Sequence, residues 1–436
     1  MSELNTHSLA RIVHRVPFFD NVLFFLLFSG PPSFRHRPDE TSLYGEVDWA
    51  IIFQISAWGL GGLWVYYRFW RARPKGNFWA IFTPTHKIAA ALIVLLWTST
   101  FVSVAPPLTL VKVCQLTIEM LFCWTFLRLY GVERCLNRIF WGSTVLCIAI
   151  ALTALVVPDF VIQPSEMGFP RLRGGYITGT NAVSAFAIIL LLTQRRQISN
   201  VAMVLGLAFF SLLQFLSLTR TSWIALAVIF LITIVRRPRI KGMKWIYAIV
   251  LLGVLASFAG GYSKLAEYRD PDSVYELSSR LGLWAYMSDA VLKDSPWLGL
   301  GYTAATRQLG MEFNPSLGSG HSIFFDVFIG GGLLSLTVFL LLFIVLGFHC
   351  FKILRSTRDA TALAICGLFF YVLIMGAMGE TIDTTPFGFT FWMIVSMLPV
   401  VASRLSPVTM PQVGTTASSD ELGSLRLKTD LDGGRL

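Results

Sequence analysis

The sequence has little charge. Of its 436 residues only 14% are Asp, Glu, Lys or Arg, and 55% are hydrophobic. Soluble globular domains carry about 25% charged residues, so this composition excludes that class. Apolar runs about as long as a bilayer crossing recur along the whole chain. Because helices satisfy their own backbone hydrogen bonds in lipid, the sequence predicts an all-α polytopic membrane protein.

Closely spaced cysteine pairs are also missing. The six cysteines stand apart from one another in apolar or basic stretches, which indicates neither a disulfide framework nor a zinc site. The pair Asp270-x-Asp272 resembles a metal-binding motif, but aspartates around a proline at a helix entry are usually turn and cap residues. We therefore predict no metal site and no cofactor.

A leader cleavage site is missing after the first apolar run, residues 16–30, so we expect this run to be retained as a membrane span. The formal net charge is +10. The basic residues occur in short clusters between apolar runs, which is typical of membrane orientation signals. We predict contact with membrane lipids and none with nucleic acid.

About twelve spans are predicted. Residues 1–405 form one transmembrane domain, and residues 406–436, rich in Ser, Thr and Gly, form a disordered cytoplasmic tail. The predicted spans are 16–30, 47–67, 88–105, 108–127, 139–157, 176–193, 198–217, 221–235, 245–262, 322–348, 360–379 and 385–403.

Every second connection is basic, which places both termini in the cytoplasm by the positive-inside rule. Arginine inside lipid costs roughly a few to more than ten kcal/mol. The alternation predicts that Arg220 lies instead in an outer turn between spans seven and eight. The inner basic residues are Arg68, Arg71, Arg73, Lys75, Arg128, Arg134, Arg138, Arg195, Arg196, Arg236, Arg237, Arg239, Lys241, Lys244, Lys352, Arg355 and Arg358.

Two predicted outer connections are basic against this trend. They are the segment before span six and the long loop 263–321, and positive charge on the outer side indicates an anionic partner. Their cationic residues include Arg171, Arg173, Lys264, Arg269, Arg280, Lys293 and Arg307.

The long loop is predicted to contain an amphipathic helix that starts at Asp272 or Ser273 and stops before Pro296. Its Arg280 and Trp284 are four residues apart and share one side; a surface helix with a lipid-anchoring tryptophan is the alternative. The next segment, "PWLGLGYTAATRQLG", is predicted to be a turn whose glycines allow close backbone approach. The predicted apolar face is Leu277, Leu281, Trp284, Met287 and Val291.

His321 directly precedes span ten, between small residues. The ordinary pKa of histidine suits proton transfer near neutrality, although a cap or interfacial role is the alternative. Glu380 and Asp383 lie at the outer end of span eleven. They neutralise the arginines or orient a polar substrate.

Three stretches resemble the O-antigen ligase and polysaccharide polymerase family of bacterial membrane glycosyltransferases. They are "RLRGGYITGTNAVSAF", "SLTRTSW", and "SSRLGLWAYMSDAVLKDSPWLGLGY" followed by "GHSIFFDVFIGGGLL", within about residues 165–350. The chain departs from the family at Thr180-Asn181, where Asn-Pro-Asn or Lys-Asn is frequent, and at Ser322, where asparagine often follows the histidine.

The resemblance implies a GT-C-like, metal-independent, inverting enzyme at the periplasmic face of the bacterial inner membrane. It implies transfer of a glycan from undecaprenyl pyrophosphate to an acceptor hydroxyl, either of a lipid A core sugar or of a growing polysaccharide chain. Arg220, Arg280 and one of Arg171 and Arg173, with Arg173 favoured, would bind the pyrophosphate. His321 would be the general base, and Trp284, Asn181, Glu380 and Asp383 would have secondary or acceptor roles.

Three alternatives stay open at this point. Ligase and polymerase differ only in the acceptor, and the sequence does not separate them. A non-catalytic assembly scaffold is a second alternative. A polytopic transporter or flippase also fits twelve spans with both ends inside. Against a transporter, the two halves show no repeat, and the charged residues are predicted to gather on one face and not at mid-membrane.

Overall fold

A computed structural model describes residues 16–30, 49–71, 83–164, 170–172, 179–193, 199–217, 219–236, 280–314, 320–379 and 385–405. A short 3-10 helix, Ser99–Val102, extends the third helix. The helices are α1 (Phe18–Ser29), α2 (Trp49–Arg71), α3 (Pro84–Thr98), α4 (Pro106–Tyr130), α5 (Val132–Val156), α6 (Pro158–Val161), α7 (Thr180–Thr193), α8 (Asn200–Leu216), α9 (Arg220–Arg236), α10 (Arg280–Asp294), α11 (Ala304–Phe313), α12 (Ile323–Ser356), α13 (Ala360–Met378) and α14 (Phe387–Arg404).

A two-stranded antiparallel hairpin, which the sequence did not predict, interrupts the helices. Strands β1 (Ile162–Pro164) and β2 (Pro170–Leu172) pair Gln163 with Arg171. The hairpin lies between α6 and α7 and fixes the position of the Arg171 backbone.

Eleven of the twelve predicted spans coincide with helices, and the twelfth, 245–262, lies outside the described residues. Within the described ranges, six helices are long and apolar enough to cross a membrane, and four further apolar helices are shorter. The chain is thus a helical polytopic membrane protein. The number of twelve spans stays a prediction.

Several helices extend past the predicted spans into the basic clusters. Helix α12 continues to Ser356, so Lys352 and Arg355 are helical, whereas the sequence placed them in the connection after span ten. Likewise Gly131 alone separates α4 from α5. The length of an apolar run underestimates the length of such a helix, because basic side chains near a helix end can extend to the membrane–water interface.

Aromatic side chains pack the first helix into the bundle. The Phe24 ring lies 4.8 Å from that of Phe126 on α4 and 5.1 Å from that of Phe389 on α14, the latter edge to face. At the amino end of α1 the buried Asp20 accepts 2.9 and 2.6 Å hydrogen bonds from Trp64 and Arg68. These contacts tie α1 to α2, α4 and α14.

Helix α12 is kinked where a neighbouring segment inserts. Gly332 has φ 68°, and the carbonyls of Ile329 and Gly330 accept hydrogen bonds from Leu300 and Gly301 N–H at 2.9 and 3.1 Å. A Cβ on Gly299 would lie 2.6 Å from the backbone of this kink. The close backbone approach predicted for these glycines is therefore confirmed.

The kink divides α12 into two parts. Its 34 residues would measure about 51 Å, which exceeds the roughly 30 Å hydrocarbon core of a bilayer. Residues 333–356 after the kink are long enough to span that core. The part before Gly332 is where α10 and α11 pack.

The amphipathic helix is confirmed over residues 280–294, including its stop before Pro296. Its predicted start and Leu277 lie outside the described residues. Its predicted face was wrong at Leu281, which is 47% exposed. Met287 and Val291 are fully buried as predicted, and Leu283 is fully buried in addition, because α10 packs on Phe328 and Ile329 of α12.

Helix α11 was also missed. The sequence placed residues 304–310 in a turn, but Ala304–Phe313 is helical and packs against α10 and α12. Tyr286 of α10 donates a 3.1 Å hydrogen bond to Glu312 of α11, and this bond raises the pKa of Tyr286 above its ordinary value. The region 280–314 is thus a packed helical pair.

Candidate active site

The turn before Arg220 is confirmed. Helix α8 ends at Leu216 and α9 begins at Arg220, so the long apolar run is two helices. Arg171 holds this turn: its Nε donates to the Ser217 carbonyl at 2.6 Å, and its Nη2 donates to Thr219 Oγ1 at 3.1 Å. The guanidinium of Arg171 therefore positions the backbone from which Arg220 begins a helix.

A tyrosine of α13 joins this turn to the start of α7. The Tyr371 hydroxyl lies 2.9 Å from Ser222 Oγ, and it donates to the Asn181 carbonyl at 3.0 Å. Because Ser222 is two residues from Arg220, the amino ends of α7 and α9 meet on α13. The backbone of Asn181 is thus part of the same polar cluster.

Arg280 attaches to the end of α13. It is the first residue of α10, and its Nη1 donates to the Met378 carbonyl. Met378 lies seven residues after Tyr371, about 10 Å along a helix. Arg280 and the start of α9 therefore contact the same two turns of α13.

The turn that carries His321 packs between α10 and α13. Trp284 Nε1 donates to the Gly320 carbonyl at 2.7 Å, and the indole stacks on Phe325 with ring centroids 4.4 Å apart. A Cβ on Gly376 of α13 would lie 2.5 Å from Ile323, two residues after His321. These contacts bring His321 close to the α13 end that Arg280 also binds.

His321 has a left-handed backbone, with φ 53°. Non-glycine residues adopt this conformation rarely and often at functional sites. The conformation turns the chain directly into the first turn of α12 at Ile323. The predicted position of His321 just before its span is confirmed.

The predicted site residues thus fall into two groups. The helix ends and turns that carry Arg220, Asn181, Arg280 and His321 lie against the carboxyl-terminal half of α13, and Trp284 binds the turn before His321. Arg173, Glu380 and Asp383, and the side chain of Arg220, lie outside what the structure describes. The roles of all these residues stay predictions.

Three polar residues that are buried within helices were not predicted as functional residues from the sequence. Tyr371 and Asp326 are buried in α13 and α12, and Glu119 is fully buried near the middle of α4. Gln115 donates to Glu119 at 3.0 Å, and Lys112 donates to Gln115 at 3.4 Å. A single acid in the apolar run "VCQLTIEMLFCW" was the signal in the sequence.

Glu119 is an exception to the predicted distribution of charge. The charged residues were predicted to gather on one face and not at mid-membrane, and Glu119 is a fully buried carboxyl group in the middle of a 25-residue candidate span. An intramembrane carboxyl group is tolerated here because the side chain of Gln115 supplies a hydrogen bond one turn away.

All six cysteines are free thiols. Among the described residues no group of three histidine, cysteine or acidic side chains lies close enough to hold a metal ion. Asp270 and Asp272 fall outside those residues, so the absence of a metal site stays a prediction.

Residues 205–340 match the family model described as O-antigen ligase. The match begins in α8 and includes the Arg220 turn, α10, α11, His321 and the kink of α12. The stretch 171–186 lies before it. No curated protein matches the chain. The match confirms the predicted resemblance: over residues 205–340 this membrane protein is similar to the O-antigen ligases.

Proposed function

We propose that the protein transfers a glycan from undecaprenyl pyrophosphate to an acceptor hydroxyl at the periplasmic face of the inner membrane. One observation carries the proposal. The segment that matches O-antigen ligases contains Arg220, Arg280 and His321, and the helix ends that bear these residues meet on about 10 Å of α13. The family match supports a surface-polysaccharide glycosyltransferase role in general.

The reaction would be a displacement at the anomeric carbon. The acceptor oxygen forms a bond to that carbon, and the bond from the carbon to the pyrophosphate oxygen breaks with its electron pair. The acceptor proton passes to the imidazole of His321, which acts as the general base. Attack opposite the leaving group inverts the anomeric configuration.

The leaving group carries the negative charge that the site must stabilise. Guanidinium groups bind phosphate oxygens in pairs and stay charged at every relevant pH. Arg220, Arg280 and Arg173 would supply these charges without a metal ion. Arg171 would act indirectly, because its two described hydrogen bonds bind the turn before Arg220.

The acceptor is either a lipid A core sugar or a second carrier-linked chain. In a deletion strain, carrier-bound long chains that never reach the outer membrane would identify a ligase. Accumulation of single-repeat glycans would identify a polymerase.

Alanine variants of Arg220 and His321 test the proposal in membranes that contain the lipid-linked donor and the acceptor. We expect each to lower transfer about a hundredfold or more, since each loses transition-state charge stabilisation or proton transfer. The matched control is Asp289→Asn at an exposed residue of α10, which should transfer normally. Normal turnover by either alanine variant would overturn the assignment.

Glu119 favours one second candidate, a transporter or flippase of lipid-linked glycans, because intramembrane acids line many transport paths. Mass spectrometry of the glycan separates the two functions. A transporter leaves the glycan on its carrier, whereas a transferase releases undecaprenyl pyrophosphate and forms a new glycosidic bond.

A further inference from the structure

A buried carboxyl group lies directly against the turn that carries His321. Asp326 is in the first turns of α12 and is 4% exposed. Side chains of a helix lean towards its amino terminus, and here the carboxyl group reaches back to Gly320. A Cβ placed on Gly320 would lie 2.5 Å from Asp326 Oδ1. A side chain at position 320 would have to displace this carboxyl group.

The distance to His321 is bounded by this contact. One Cα–Cα step from Gly320 places Asp326 Oδ1 within about 8 Å of the His321 Cα. An imidazole side chain can cover most of that distance. Away from bulk water, opposite charges at such separations interact far more strongly than in solution.

The same backbone is held from its other side by α10. Trp284 Nε1 binds the Gly320 carbonyl at 2.7 Å, and its ring stacks on Phe325, the neighbour of Asp326. Gly320 is therefore clamped between an indole and a carboxyl group. His321, the next residue, has a left-handed backbone.

We propose that Asp326 is a positioning residue for His321: it fixes the imidazole orientation and stabilises the imidazolium that forms when His321 takes the acceptor proton. This inference rests on the proposed function. In the forward step the proton moves from the acceptor oxygen to the imidazole, and it later leaves to solvent. Asp326 forms no bond to the substrate.

A purely structural role is the competing explanation, because a carboxylate in the first turn also favours the helix dipole. A double-mutant cycle separates the two explanations. If Asp326 acts through His321, its substitution lowers kcat only while His321 is present. If Asp326 is purely structural, its substitution lowers kcat by the same factor with and without His321.

The experiment measures kcat and the donor KM of membrane-reconstituted enzyme, normalised to folded protein, for Asp326→Asn, Asp326→Glu, His321→Ala and the double variant D326N/H321A. We expect D326N to lower kcat about tenfold to a hundredfold with the donor KM within about threefold of wild type. D326E should restore part of kcat. In the H321A background D326N should cause no further loss.

The control is again Asp289→Asn, which changes an exposed carboxyl group in the same region and should leave kcat unchanged. Wild-type kcat in D326N, or an equal further loss in the H321A background, would overturn the role of Asp326 while leaving the proposed function intact. If the wild-type protein forms no glycosidic product, the proposed function itself fails, and this inference fails with it.

Discussion

At the residue scale, the guanidinium group of Arg171 already binds groups of the protein itself. Arg171 donates hydrogen bonds from Nε to the Ser217 carbonyl and from Nη2 to Thr219 Oγ1, so its planar group holds the turn before Arg220. Because Arg171 binds this turn, we favour Arg173 over Arg171 as the pyrophosphate ligand.

The variant Arg171→Lys tests this assignment. Lysine keeps the charge but cannot bind the carbonyl and the hydroxyl with one planar group, so we expect a loss of about 1–2 kcal/mol in stability. Thermal unfolding of the purified protein in detergent measures this loss. Arg173→Ala, in contrast, should keep the thermal midpoint and raise the donor KM; an unchanged midpoint in Arg171→Lys would contradict the account.

At the element scale, glycines at the kink of α12 allow the backbone of residues 297–301 to pack closely against this helix. A Cβ on Gly332 would collide with the Trp297 carbonyl group, and φ at this position is 68°. The inserted segment then leads through Tyr302 into α11, and the part of α12 before the kink carries Asp326. The shape of the site therefore depends on this backbone contact.

Substituting alanine at Gly332 should expel the inserted segment from the kink. We expect a lower unfolding temperature and faster proteolysis near residues 296–302, because both the left-handed backbone and the contact are lost. Gly347 lies on the same helix with open space around its Cα. Gly347→Ala is the matched control and should be as stable as wild type or slightly more stable. Equal stability of Gly332→Ala and Gly347→Ala would show that the kink is not tightly packed.

At the scale of the whole molecule, two polar clusters lie near helix ends. One end holds Arg280, Tyr371 and the turn of His321 against α13, and the amino end of α1 holds Asp20 with Arg68, Trp64 and Tyr130. The predicted topology places the first end in the periplasm and the second in the cytoplasm.

Thiol labelling of intact spheroplasts tests this topology. A membrane-impermeant reagent should label Glu312→Cys without permeabilisation, and Arg358→Cys, in the exposed connection between α12 and α13, only after it. The wild-type protein is the background control, because five of its six cysteines are buried. The opposite pattern would place the site in the cytosol.

The helices themselves could be predicted from the sequence because long apolar runs signal membrane helices directly. The turn at Arg220 was predictable for the same reason, since one arginine could not be left in lipid. The lengths of α12 and α4 were not, because helical structure continues into basic residues that hydropathy assigns to loops. Helix α11 is only ten residues long, and tertiary packing rather than its own pattern makes it helical.

For the site, the sequence provided Arg220, Arg280, His321 and Trp284 as separate candidates. It did not show that the segments carrying Arg220, Arg280 and His321 meet on α13, because Tyr371 and Gly376 are ordinary residues of an apolar helix until their partners are known. Leu281 was assigned to the packed face because spacing alone does not say which neighbour a helix has. Asp326 could have been noticed as an acid five residues after His321 in an apolar run.

The most direct test of the central claim is transfer by the purified protein, reconstituted with a pyrophosphate-linked glycan and acceptor in the presence of a metal chelator. We predict one undecaprenyl pyrophosphate released for each new, inverted glycosidic bond, and a loss of both products in Arg280→Ala. A glycan that crosses the membrane still attached to its carrier, or equal turnover by Arg280→Ala, would contradict the account.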